Sequence, residues 1–141
     1  MIHRILATTL LGAALAVPAA AGAADPDRQA ILDEFRAQAR KNNPDFSGFS
    51  AERGRELFYN RHGGGEPETP RCTSCHTEDP TQAGETRAGK RIGPVAVSVN
   101  PDRFTKRKKV YKWFARNCDS VLGRRCTPTE KGDFMTFMLT Q

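Results

Sequence analysis

Beyond residue 24 this chain has no apolar run long enough to cross a bilayer. Over the same residues it has no segment alternating apolar and polar residues, and only two of its three methionines. The first shortage excludes a membrane anchor in that region, and the second argues against a sheet. Histidine is scarce at three residues, and cysteine numbers four. One Cys-x-x-Cys stands without a second such pair or a His-x-x-x-His, so a structural zinc site would lack half its ligands. The βαβ pattern that frames a thioredoxin-like redox pair is missing as well.

What is present is Cys72-Thr73-Ser74-Cys75-His76, the attachment signature of a c-type haem. Each thiol can add across one porphyrin vinyl group, and two intervening residues let the backbone turn tightly enough to reach both. The next imidazole then meets the iron as proximal ligand. One covalent haem c is therefore expected on Cys72, Cys75 and His76.

Residues 1–24 predict a cleaved signal peptide. His3 and Arg4 precede an apolar stretch from Ile5 to Val17, and small residues follow to Ala24. The expectation is an exported, periplasmic chain with one domain over 25–141, no membrane anchor and no nucleic-acid partner. Haem is attached on that side of the membrane, so the two readings agree. Cys118 and Cys126 remain, eight apart, in a compartment where disulfides persist. They are expected to pair; two free thiols are the alternative.

The pattern is all-α, with about four to five helices. Asp25-Pro26 opens a helix with Ile31, Leu32 and Phe35 on one face, ending before Pro44. Ser50 caps a second helix carrying Gly54, Leu57 and Phe58, with Gly63-Gly64-Gly65 as its stop. Residues 78–103 form a polar loop. A third long helix is predicted from about Thr105 to Asp119. The last opens on Thr127-Pro128-Thr129-Glu130, a capping box, and carries Phe134, Met135, Phe137 and Met138. Helix, Cys-x-x-Cys-His, long loop and two helices is the order of a small class I cytochrome c. Gly54 either admits an aromatic such as Phe137 at a helix crossing or is simply tolerated.

Val110, Trp113, Phe114, Asn117 and Val121 share one helical face. A buried amide among apolar residues needs a partner. Asn117 either caps the helix end or offers its carbonyl oxygen to the iron. Met135 and Met138, the usual type of distal ligand, sit on the apolar face of the last helix, where a core is expected. His62 suits a solvent or haem-edge position better than ligation.

Gly54-Arg55-Glu56-Leu57-Phe58, Cys72 to His76, Asn100-Pro101-Asp102-Arg103-Phe104-Thr105, Lys112-Trp113-Phe114, Arg116-Asn117-Cys118 and Cys126-Thr127-Pro128-Thr129-Glu130-Lys131 resemble the SHP-type cytochromes c, the sphaeroides haem protein family. The resemblance implies a class I cytochrome c fold with an extra N-terminal helix. It also implies His76 as proximal ligand, Asn117 as distal ligand and a Cys118–Cys126 disulfide beside it. Transient binding of small gases by the reduced protein follows from it, as do a dihaem cytochrome c and a membrane cytochrome b as redox partners. Phe137 departs from the family, where tryptophan is expected. Ile92-Gly93-Pro94 resembles the turn whose proline carbonyl accepts the proximal histidine's N–H, which would make Pro94 part of the cofactor site with Trp113 and Phe114. Arg87, Lys90 and Arg91 are candidates for pairing the propionates.

Ferric iron tolerates a hard amide oxygen, whereas ferrous haem iron holds it poorly. Reduction would then free Asn117 and open a position for O2, NO or CO. Residues 101–126 carry nine Lys or Arg against two acids, while the rest of the chain after residue 24 sums to about −2. Lys106, Lys108, Lys109, Lys112 and Arg116 in that stretch are candidate docking residues for an acidic partner. Two functions stay open: a single-electron carrier, or a gas-binding or small oxidase-like protein. An ordinary His/Met carrier is a third. No acid–base constellation for O–O cleavage accompanies the motif, so a dedicated enzyme is not expected.

Overall fold

A computed structural model describes residues 25–141; the segment read as a signal peptide lies outside the described residues. The elements in chain order are α1 (Pro26–Asn42), α2 (Ala51–Tyr59), α3 (Thr73–His76), β1 (Gly84–Glu85), β2 (Arg91–Ile92), α4 (Arg107–Leu122) and α5 (Pro128–Leu139). Five helices carry the architecture.

The helix starts follow from capping. The Asp25 side chain accepts the Arg28 amide at α1 and Ser50 accepts that of Arg53 at α2. At α5, Thr127 and Glu130 form a full capping box. Each cap satisfies an N–H that the first turn leaves unpaired.

The core is built where α5 meets α2 and α1. Phe35, Phe58, Met135 and Met138 are wholly buried there. Phe58 packs on Phe137 and Phe134 at ring separations of 5.9 and 6.1 Å. Asp133 on α5 is buried, yet it is satisfied: its Oδ1 accepts the Ser50 amide at 2.7 Å and its Oδ2 pairs with Arg53 Nε at 2.7 Å. A buried carboxylate without such partners would cost several kcal/mol. Helix α1 joins the core through Phe35, whose ring meets Tyr111 at 5.2 Å and Phe114 edge-on at 6.0 Å, both on α4.

Three local expectations need correction. Helix α2 stops at Asn60, three residues before the glycine run, because Asn60 turns extended. The glycines serve a different end: a Cβ on Gly64 or Gly65 would overlap the backbone of Leu122 or Ser120 at the end of α4. Within the loop of 78–103, β1 and β2 form a two-residue antiparallel ladder, too short for any alternation to register. Helix α4 starts at Arg107 and continues to Leu122, ending on Gly123 in the left-handed conformation. Asn117 therefore lies inside the helix and is not its cap.

Candidate haem-binding site

Helix α3 is one turn long and carries the attachment motif. The Cys75 and His76 amides donate back to the Cys72 carbonyl at 3.3 and 3.1 Å, so both cysteines and the histidine sit on a single tight turn. The turn closes at Thr77 with φ +64. Cys72, Cys75 and His76 all line one cavity of about 890 Å³, near the upper end of the usual range for cofactor sites. Leu57, Val95, Val110, Phe114, Val121 and Phe134 supply apolar wall. The Phe58 ring stands 6.5 Å from that of His76.

The α4 residues singled out by periodicity meet here: Val110, Trp113, Phe114, Asn117 and Val121 all border the cavity. So do the cations Arg87, Lys90, Arg91, Lys106, Lys109, Lys112 and Arg116. Lys108 is exposed but outside that lining. Arg107 and Arg124 are already engaged, by Glu34 at 2.8 Å and Glu130 at 2.7 Å. Arg87 is shared with Glu66 at 2.7 Å. Met135 and Met138 are sealed in the core with no exposure and do not reach the cavity. His62 Nε2 lies 3.0 Å from the Leu57 carbonyl oxygen, also outside the cavity.

Protonation states suit a haem better than a thiol pair. Burial pushes the Cys72 thiol up to about 12, and burial also raises Cys75. A redox-active Cys-x-x-Cys needs the reverse shift. Burial, with a contribution from the charge of Arg103, lowers His76 to about 4, which leaves its imidazole neutral and its lone pair free for a metal. Among the described residues no group of three or more His, Cys, Asp or Glu could hold an ion by itself. A cavity of this size, with two thiols, one neutral imidazole and basic side chains at its border, fits a porphyrin carrying two carboxylates.

One expected contact is replaced. The Pro94 carbonyl accepts from Asn100 Nδ2 at 2.9 Å and Arg103 Nε at 2.7 Å, so its two lone pairs are occupied by these donors and not by His76. Pro94 itself does not line the cavity, whereas Gly93 and Val95 do. In the sequence Arg103 belongs to the basic stretch and to the motif at 100–105, and nothing in periodicity marks it as a cation that folds inward.

Directly after Asn117, Cys118 is joined to Cys126 by a disulfide with Cα atoms 5.6 Å apart. The Ser120 carbonyl accepts the Glu66 amide at 2.7 Å and the Thr69 hydroxyl at 3.2 Å. The end of α4 is thus tied both to the start of α5 and to the segment that leads into Cys72.

Known proteins share this sequence pattern and fold. A family model described as a domain of unknown function (DUF1924) matches residues 44–138. The cytochrome c-type protein SHP of Cereibacter sphaeroides is 47% identical over 132 residues, 94% of this chain and 96% of that protein. The solved structure of oxidized SHP, described as an oxygen binding cytochrome c, matches with a TM-score of 0.74 at 46% identity, covering 81% of this chain and 96% of that one. The solution structure of Methylophilus methylotrophus cytochrome c″, described as bearing on haem-ligand detachment, matches with a TM-score of 0.69 at 31% identity, covering 82% and 94%.

Fold and site together define a c-type cytochrome with one covalently bound haem c, built from helices with a further helix at the N-terminal end. More particularly, the chain belongs to the SHP-type cytochrome c family.

Proposed function

We propose that the protein is a periplasmic monohaem cytochrome that carries single electrons and opens a coordination position when reduced. The haem, when bound, supplies a one-electron couple at iron and a sixth coordination position. His76 would hold the iron, and Cys72 and Cys75 would hold the porphyrin. Asn117 would offer its amide oxygen to a ferric iron, and a ferrous iron would hold that oxygen more weakly, which would leave room for O2, NO or CO. The observation that carries this reading is the partition of donors: Asn117 is on the cavity face of α4, while both methionines are locked in the α5 core. That partition also speaks against an ordinary His/Met carrier.

The tethers on α4 shape how Asn117 moves. With Ser120 bonded to residues 66 and 69 and Cys118 bridged to α5, the helix is held on two sides. These tethers favour release by rotation of the Asn117 side chain over displacement of the helix. Lys106, Lys108, Lys109, Lys112 and Arg116 form the docking surface, with a dihaem cytochrome c and a membrane cytochrome b as the redox partners. No helix among the described residues is long and apolar enough to cross a membrane.

A second reading, a gas-handling or small oxidase-like protein, is favoured by one finding, that a solved relative is described as oxygen binding. Absorption spectra of the dithionite-reduced protein with and without carbon monoxide test the shared core of both. A carbon monoxide complex forming without added denaturant is expected, and a ferrous spectrum indifferent to the gas would refute the open position. Sustained partner-driven turnover of O2 or NO would favour the second reading over simple electron carriage.

A further inference from the structure

Arg28 on α1 is only 7% exposed, and its guanidinium donates to two backbone carbonyls, not to a carboxylate. Its Nε donates to the Arg103 carbonyl at 3.0 Å and an Nη donates to that of Pro101. A buried cation with neutral acceptors alone is costly, so what it holds in place matters. It holds residues 101–103. From that segment the Arg103 guanidinium turns inward, giving Nε to the Pro94 carbonyl and an Nη to the Gly93 carbonyl. The next residue, Phe104, has φ +63, a conformation that a non-glycine residue adopts only when its surroundings hold it there. Its ring is fixed edge-on to Phe134 at 6.2 Å. Residues 100–104 are thus held in a single conformation by Arg28, by the Gly93–Pro94 carbonyls and by Phe134. Arg103 and His76 line the same cavity.

We propose that Arg103 is a positioning residue that sets the reduction potential of the haem, and that Arg28 on α1 holds it there. Gaining an electron lowers the positive charge at the iron, and a nearby cation favours that change. Desolvation by the surrounding chain keeps the effect from being screened away. This gives α1 a task in the redox chemistry although α1 contributes no residue to the cavity lining. The proposal rests on the covalent haem and not on what occupies the distal position.

The test uses haem-loaded Arg103→Gln, Arg103→Lys, Arg28→Gln and the double Arg28→Gln/Arg103→Gln. Midpoint potentials are measured by spectroelectrochemical titration, with the ferric spectrum as a check on axial ligation. Arg103→Gln is expected to shift the equilibrium at least tenfold toward ferric protein, about 59 mV lower for a one-electron couple. Arg103→Lys should retain most of the wild-type potential with an unchanged ferric spectrum. Arg28→Gln should move the potential in the same direction by less, and add nothing once Arg103 is already Gln. A wild-type potential in Arg103→Gln overturns the proposal. So does a lysine variant as low as the glutamine one, a changed ferric spectrum, or an Arg28→Gln shift that adds in full. Should Arg103→Gln fail to mature, a low potential in Arg103→Lys or a wild-type one in Arg28→Gln refutes it alone.

Discussion

Gly54 and Phe137 meet with no room for a side chain on the glycine. A Cβ there would stand 2.9 Å from Phe137 Cβ and overlap the Asp133 backbone carbonyl. Relief would require α2 and α5 to move apart, because the obstacle is backbone. Gly54→Ala should therefore cost about 1–3 kcal/mol, as overpacking does, measured as a fall in the urea midpoint of the haem-loaded protein. Gly63→Ala is the control. Nothing lies within 4 Å of a Cβ at Gly63, and that variant should stay within about 0.5 kcal/mol of wild type.

Asn117→Ala removes the proposed distal oxygen without touching the core, since Asn117 is exposed toward the cavity. The ferric protein should become five-coordinate or bind water, visible in its absorption spectrum and in faster binding of added cyanide or imidazole. An unaltered ferric spectrum would remove Asn117 from consideration as a ligand. Stability should change little.

The disulfide can be separated from ligation. Its short loop, Cys118 to Cys126, is worth about 2–3 kcal/mol on the chain-entropy model. Replacing both cysteines by serine should lower stability by roughly that amount in denaturant titrations. The ferric spectrum should persist, because the hydrogen bonds to Ser120 still hold the end of α4. Loss of the ferric spectrum along with stability would show that the bridge itself places Asn117.

Acid should loosen the start of α5 through Glu130. Burial alone would raise its carboxyl, but hydrogen bonds from Arg124 and Thr127 and the Arg124 charge bring it below the ordinary 4.5. A carboxyl lowered on folding binds its proton more readily in the unfolded chain. The stability it contributes is thus present above pH 4.5 and disappears as pH falls through the lower folded value. Glu130→Gln should flatten the stability profile across that window and leave neutral-pH ligation unchanged.

Docking by charge predicts a salt-dependent rate. Reduction by an acidic electron-donor protein should slow steeply as ionic strength rises, within the range of ten- to a thousand-fold associated with steering. Paired Lys109→Glu and Lys112→Glu substitutions, both at exposed positions, should slow it at low salt and erase most of the salt effect. A rate indifferent to salt would dismiss the surface.

Much of the architecture was legible in the sequence because capping and periodicity are local. Asp25, Ser50 and Thr127 mark three helix starts by their own side-chain chemistry. Cys-x-x-Cys-His announces its cofactor by spacing. What escaped is what distant contacts decide. Whether Gly54 was idle or necessary depended on Asp133 and Phe137, some eighty residues on. Gly64 and Gly65 looked like a helix stop, yet they lie against the end of α4. The Pro94 carbonyl was expected to serve His76, but an arginine nine residues later reaches it. Buried Arg28 has no pattern at all, since an inward arginine at the third position of a helix resembles any surface charge.

Residues 64–69 and the C-terminal turn of α4 are strapped together by backbone contact along one edge of the cavity. Gly64 and Gly65 lie at the near end of this strap, and Cys72 follows only seven residues after Gly65. The hydrogen bonds from Glu66 and Thr69 to the Ser120 carbonyl link the segment leading into Cys72 to the turn of α4 that follows Asn117. The Glu66 amide, which bonds to Ser120, becomes a natural reporter: its exchange with deuterium should follow the opening of the whole slot and not the fraying of a loop.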